Sequence, residues 1–180
     1  MPNMSVRKAH AAAAIITAVT VVTLLSGCDI VSSMKNDGVS NPITPEQSRA
    51  QVIDAAKEIA GILNLQVIEP AYFWHSSCND QGDAPFRGEM RIPYPLAASF
   101  EASDAEVAQM IQRLQTKGWT TDPGANTHGR AVTKNDVSAI FYPQNAIDET
   151  RSINLSGECR DVTTTKDTKG NVEDVNLSTH

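Results

Sequence analysis

Positive charge is in short supply in this chain. Lys and Arg total 15 against 21 Asp and Glu over 180 residues, a formal net charge of −6. Nucleic-acid binders gather basic residues into a patch or stripe, and no such stripe occurs, so nucleic acid is excluded as a partner. Cysteine is also scarce, at three residues, too few for a disulfide-dense scaffold. No apolar run reaches the ~20 residues that a comfortable transmembrane helix needs. Missing too are an H-E-x-x-H pair, a P-loop, a dinucleotide fingerprint and a nucleophile elbow. What remains is an ordinary globular balance, 41% hydrophobic and 20% charged, at a length typical of one domain.

The most informative stretch is the first. Arg7 and Lys8 make a short positive region. An uncharged apolar run follows, from Ala9 to Leu25, which fits a secretory signal peptide over residues 1–27. It ends in Leu25-Ser26-Gly27-Cys28. This resembles the lipobox of bacterial lipoproteins: an aliphatic residue, two small ones, then cysteine. The resemblance implies a diacylglyceryl group on the Cys28 thiol, cleavage before Cys28 and a chain held by lipid at the extracytoplasmic face of the cell membrane. Two acyl chains give stable attachment, at about 0.8 kcal/mol per buried CH₂. Cleavage would remove Arg7 and Lys8 and no acidic residue, moving the net charge from −6 to −8. With no polybasic segment after Cys28, attachment rests on lipid rather than on anionic headgroups. Residues 28–43 then read as lipidated Cys and flexible tether, rich in Ser, Asn, Asp and Gly.

With Cys28 assigned to lipid, Cys78 and Cys159 remain. In an exported chain disulfides persist, and two cysteines allow one intramolecular pairing, worth about 4–5 kcal/mol in the chain-entropy model. Two free buried thiols, or a metal pair, are the competing readings.

The domain is expected over residues 44–161. Thr44-Pro45-Glu46-Gln47 is a capping box with proline at the first helical position, and the apolar spacing predicts a helix from Pro45 to Leu63, with Asn64 as the stop. Val67 to His75 is strand-like, with Pro70 marking an interruption or an edge. Cys78 to Pro85 is loop-like, and Phe86 to Ile92 alternates as a half-buried strand. Ser103-Asp104-Ala105-Glu106 reads as a second capping box, opening a helix that Gly118 closes before Trp119. Gly129–Lys134 and Val137–Tyr142 form a hairpin across Asn135-Asp136, and Arg151–Gly157 alternates again. The fold class is therefore α+β: a two-layer sandwich, two helices on one face of a mainly antiparallel sheet of about five strands. From Val162 to the end, the Thr-, Lys- and Asp-rich composition predicts a disordered tail over residues 162–180.

Three short motifs fall in order along the domain: Ser77-Cys78-Asn79-Asp80-Gln81-Gly82-Asp83, Lys117-Gly118-Trp119 and Gly157-Glu158-Cys159-Arg160. From Thr44 to Asp161 the chain resembles actinobacterial, chiefly mycobacterial, cell-envelope lipoproteins of the Lpp type, the LppJ-like group among them. The resemblance implies an anchored envelope protein and carries over no catalytic residue and no cofactor. The motifs around Cys78 and Cys159 match together, which supports pairing these two cysteines.

Other chemistry weighs less. Asn79, Asp80 and Asp83 offer hard oxygens, but a calcium site needs six or more, and an Asx-turn loop is the simpler reading. His75 would activate a free Cys78, an option that a disulfide removes. His128 stands alone. Tyr72, Phe73 and Trp74 are consecutive, so at least one must leave the core side of its strand; with Tyr94 they form a candidate partner surface. The sequence thus points to a non-enzymatic, lipid-anchored binding domain without cofactor or metal. Its partners would be membrane lipid through acylated Cys28 and an envelope protein, glycan or lipid. A carrier with a cavity between sheet and helices is the alternative, and an envelope hydrolase is a more distant third.

Overall fold

The computed structural model describes residues 38–68, 70–121 and 128–177. The expected signal peptide, Cys28 and the tether up to residue 37 lie outside them.

Helix α1 spans Pro45–Leu63. Its start is the reciprocal box read from the sequence: the Gln47 N–H donates to the Thr44 hydroxyl at 3.2 Å, and the Thr44 N–H donates to Gln47 Oε1 at 2.9 Å. Asn64 ends it in the left-handed region at φ 48°. Strands β1 (Ala71–Ser77) and β2 (Phe86–Tyr94) follow, then helix α2 (Phe100–Gln115). Strand β3 (Thr120–Thr121), the hairpin of β4 (Arg130–Lys134) and β5 (Val137–Phe141), β6 (Arg151–Ser156) and β7 (Glu173–Val175) complete the chain.

Among the described residues the fold is α+β, with two helices and one antiparallel sheet in the order β3-β4-β5-β6-β2-β1-β7. The sheet has seven strands rather than the expected five. The two extra strands are the edges, β3 with two residues and β7 with three, too short to leave an alternation signal.

The second helix also departs from expectation. Its cap is Ser99, whose hydroxyl accepts from the Ala102 N–H at 3.1 Å, one turn before Ser103. Ser103 instead lies on the buried face of α2. Gly118 adopts φ +87°, which favours glycine and returns the chain so that the Trp119 N–H reaches the Leu114 carbonyl.

The tail expected from Val162 is ordered over its described residues. The Asp161 carboxylate accepts from the Thr163 and Thr164 backbone N–H groups and from both threonine hydroxyls, turning the chain. The chain then lays β7 along the open edge of β1, pairing Ala71 with Val175 and Phe73 with Glu173. Val175 and Leu177 enter the core. Polar composition concealed this because two apolar side chains and an edge of unpaired backbone groups were enough to dock the segment.

The core fills the space between the helices and one sheet face. Val52, Ala56 and Ile59 of α1 and Val107 and Leu114 of α2 meet Phe73, Met90, Ile92, Ile153, Leu155, Ala139 and Phe141. The first turn of α1 comes closest at Gly88, where a Cβ would lie 2.6 Å from the Ser48 carbonyl oxygen. The Gly88 N–H donates to the Ser48 hydroxyl there at 2.7 Å.

Candidate functional site

Alternation along β1 resolves the aromatic triplet. Phe73 points into the core at 1% exposure, as does Tyr94 on β2, so neither can serve a partner surface. That part of the sequence reading is corrected: side chains two apart share a face, and Phe73 pairs with Met90 on the helix-covered one. Tyr72 and Trp74 take the opposite face and stay partly exposed.

His75 shares the inner side with Phe73, edge-on at 5.0 Å between ring centroids. Its Nδ1 is buried without a partner among the described residues, and burial pushes its pKa down, partly offset by Asp161 and Glu173. Cys78, at the end of β1, is bonded to Cys159, just past β6, closing a span of 81 residues. No thiol is therefore left for His75 to activate. The loop between β1 and β2 is organised by Asn79, whose Oδ1 accepts from the Gln81 and Asp83 N–H groups and from the Ser77 hydroxyl. The Asp83 carboxylate meets Lys166 at 3.3 Å rather than other acids. Among the described residues no cluster of metal-ligating side chains is present. His128 is exposed two residues before β4.

The open sheet face holds the best-organised constellation. Cross-strand register puts Thr120, Thr133, Ser138, Ser156, Glu89 and Trp74 in one line across six strands. At about 4.8 Å per strand the line runs for about 24 Å. A second line beside it carries Ile140, Asn154, Arg91 and Tyr72. The Thr120 and Thr133 hydroxyls lie 3.2 Å apart, while those of Ser138 and Ser156 make no hydrogen bond among the described residues. Arg87 is paired with Glu89 at 2.6 Å. Arg91 has no ion pair among the described residues, and Asn154 Oδ1 is buried without a partner there. Over the hydroxyl end of the first line lies an open cleft of about 720 Å³, bounded by Arg87, Glu158 and the β4–β5 turn. The sequence singled out Tyr72, Phe73, Trp74 and Tyr94 without sorting them, and it missed the hydroxyls. Ser156 falls at an outward position of an alternating strand, but only the strand order aligns it with Ser138.

A family model described as "Putative lipoprotein LppJ" matches residues 44–178. The chain belongs to the LppJ lipoprotein family. Relatives of the same description from Mycobacterium tuberculosis, strains CDC 1551 / Oshkosh and ATCC 25618 / H37Rv, are 35% identical over 157 residues, covering 81% of each chain. The Mycobacterium bovis relative is 34% identical over the same share. No solved structure matches. The family match runs through β7, so the docked tail belongs to the LppJ domain rather than trailing it. LppJ relatives are described only as lipoproteins, which implies membrane association and names no activity. Among the described residues no helix is long and apolar enough to cross a membrane.

Proposed function

We propose that the chain is a cell-envelope lipoprotein, acylated on Cys28 after loss of residues 1–27, displaying a non-enzymatic binding domain at the extracytoplasmic face of the cell membrane. Residues 28–43 serve as the tether, and the two helices layered on one sheet face leave the other free to meet an envelope partner. The observation that carries the binding reading is the open face itself, where aromatic, hydroxyl and charged side chains stand in register on a rigid sheet. Family membership and the Cys78–Cys159 bond, of a kind that persists outside the cytoplasm, support export.

The test is intact mass of the chain extracted from membranes with detergent, before and after reduction and alkylation. A mass of Cys28–His180 plus acyl chains is expected, with two cysteines alkylated only after reduction. A full-length mass, or an acyl mass that persists on Cys28→Ala substitution, refutes the anchor.

One observation favours the carrier as a second reading. A cleft of about 390 Å³ lies between α2 and the β3–β4 edge, lined by Ala108, Ile111 and Ala131 together with Gln112, Thr121 and Arg130. A carrier would fill it with an apolar ligand. Ile111→Trp would then abolish uptake of a fluorescent fatty acid; no uptake by the native chain disposes of the carrier.

A further inference from the structure

We propose that the open sheet face binds a neutral sugar chain, laid along the line from the Thr133–Ser138 cleft to Trp74. This rests on the binding reading above and names the chemistry of its ligand.

Four observations narrow the ligand. The face is close to electrically balanced, although the whole chain is acidic: Arg87 and Arg91 stand against Glu89 and exposed Asp174. A polyanion or polycation would find little net field there. The face is not an apolar patch, since Ile140 is the large aliphatic side chain among hydroxyls and charges, and a lipid chain would gain little. A peptide added as a strand needs a long free edge, and the edge strands are the two-residue β3 and three-residue β7, with only Trp74–Ser77 of β1 running past β7. What the face does supply is matched to polyols. Partly exposed Trp74 and Tyr72 put aromatic rings on this face, and the C–H side of a sugar packs on such rings. The hydroxyls of Ser138 and Ser156, which make no hydrogen bond among the described residues, offer donors and acceptors. The strand step of about 4.8 Å is close to the advance of one ring in an extended pyranose chain, so successive sugars meet equivalent positions on successive strands. The cleft beside the turn leaves room for one end of the chain.

The experiment is a titration of the full chain, in detergent, with the hexamer of N-acetylglucosamine and with maltohexaose, followed by tryptophan fluorescence. The chain has two tryptophans, and Trp119 is 2% exposed in the core, so a ligand-induced change reports on Trp74. Saturable binding of at least one hexasaccharide is expected. Trp74→Ala should weaken it about tenfold or more, read by calorimetry, and Trp74→Phe should retain part of the affinity. Paired Ser138→Ala and Ser156→Ala should cost roughly three- to tenfold. Ile147→Ala, at a 90% exposed site in the loop between β5 and β6, should change nothing. Thermal unfolding of each variant separates lost binding from lost fold, and Trp74→Phe keeps the test decisive if the alanine variant unfolds.

Binding that survives every Trp74 and serine variant overturns the assignment, as does no binding of either sugar up to millimolar concentration. A photo-crosslinker at Trp74 in intact membranes separates the two levels. Capture of a protein in the absence of sugar binding refutes the sugar and leaves the binding reading standing. Neither sugar nor capture refutes both.

Discussion

Arg151 on β6 reaches Glu106 on α2, placing guanidinium nitrogen 2.7 Å from carboxylate oxygen. The arginine side chain is 5% exposed and the glutamate 44%. Arg151 Nε also donates to the Pro95 carbonyl at 2.7 Å, and the guanidinium lies 4.6 Å over the ring of Tyr94. One buried cation thus joins the sheet, α2 and the segment leading from β2 to that helix. Arg151→Ala strips all three partners at once, leaving the Pro95 carbonyl unpaired and a gap beside Tyr94, and should cost about 2–4 kcal/mol in urea unfolding. Glu106→Ala leaves the buried guanidinium without its counter-charge, partly relieved by the Pro95 carbonyl and the Tyr94 ring, and should cost about 1–2 kcal/mol. Equal losses from the two variants would contradict this asymmetry.

The docked tail makes a second prediction. Leu177 is 3% exposed and Val175 8%, so Leu177→Ala should destabilise the domain by about 2–4 kcal/mol. Truncation after Asp161 should do more than lower stability. It uncovers Ala71–Phe73, leaving the seven-residue β1 with no strand on that side, and the shortened chain should self-associate more than the native chain in size-exclusion chromatography.

The β4–β5 turn has both central residues at positive φ, Asn135 at 48° and Asp136 at 61°. That backbone prefers glycine at the second position. Asp136→Gly should stabilise the domain by about 0.5 kcal/mol, seen as a raised urea midpoint with unchanged slope.

Stability should fall with acid in two separate windows. Burial pushes the His75 pKa below its usual 6.5, with Asp161 and Glu173 pulling weakly the other way. The unfolded chain therefore takes up this proton first. The contribution is full above 6.5 and is lost as pH falls from there to the lowered folded value. His75→Gln should flatten that slope. Burial alone would raise the Asp161 carboxyl, but hydrogen bonds from Thr164 and Thr163 outweigh it and hold the pKa below the usual 3.8. Its contribution is present above 3.8 and disappears as pH falls through the lowered value. Asp161→Asn should remove this lower window. A single featureless decline between neutrality and acid would contradict the pair.

Periodicity carried much of the architecture. The α1 face, the hairpin across Asn135-Asp136 and the β6 alternation are written as 3.6- and 2-residue repeats, and such repeats survive without knowledge of neighbours. Two local signals misled. Ser103-Asp104-Ala105-Glu106 has the form of a capping box, yet Ser99 caps α2 and Ser103 packs beneath the helix. Tail composition forecast disorder because docking depends on what the tail meets, not on what it contains. The four aromatics were singled out together, and the sequence did not sort Tyr72 and Trp74, on the open face, from Phe73 and Tyr94, in the core. Which side of an aromatic strand becomes the core is decided by where the helices lie. The serine and threonine line was hidden for the same reason that strand order was: it exists between strands, not along one.

The Cys78–Cys159 bond closes a covalent ring that contains β2, α2 and every strand from β3 to β6. A protease that cuts once inside that ring opens it without dividing the molecule, whereas one cut before Cys78 or after Cys159 sheds whatever lies beyond. The covalent layout thus sorts the chain by tolerance to damage. The strands carrying the Ser138–Ser156 part of the open face lie inside the protected circuit. β7, which guards the edge of the sheet, lies outside it and is the first element a single cut could set free.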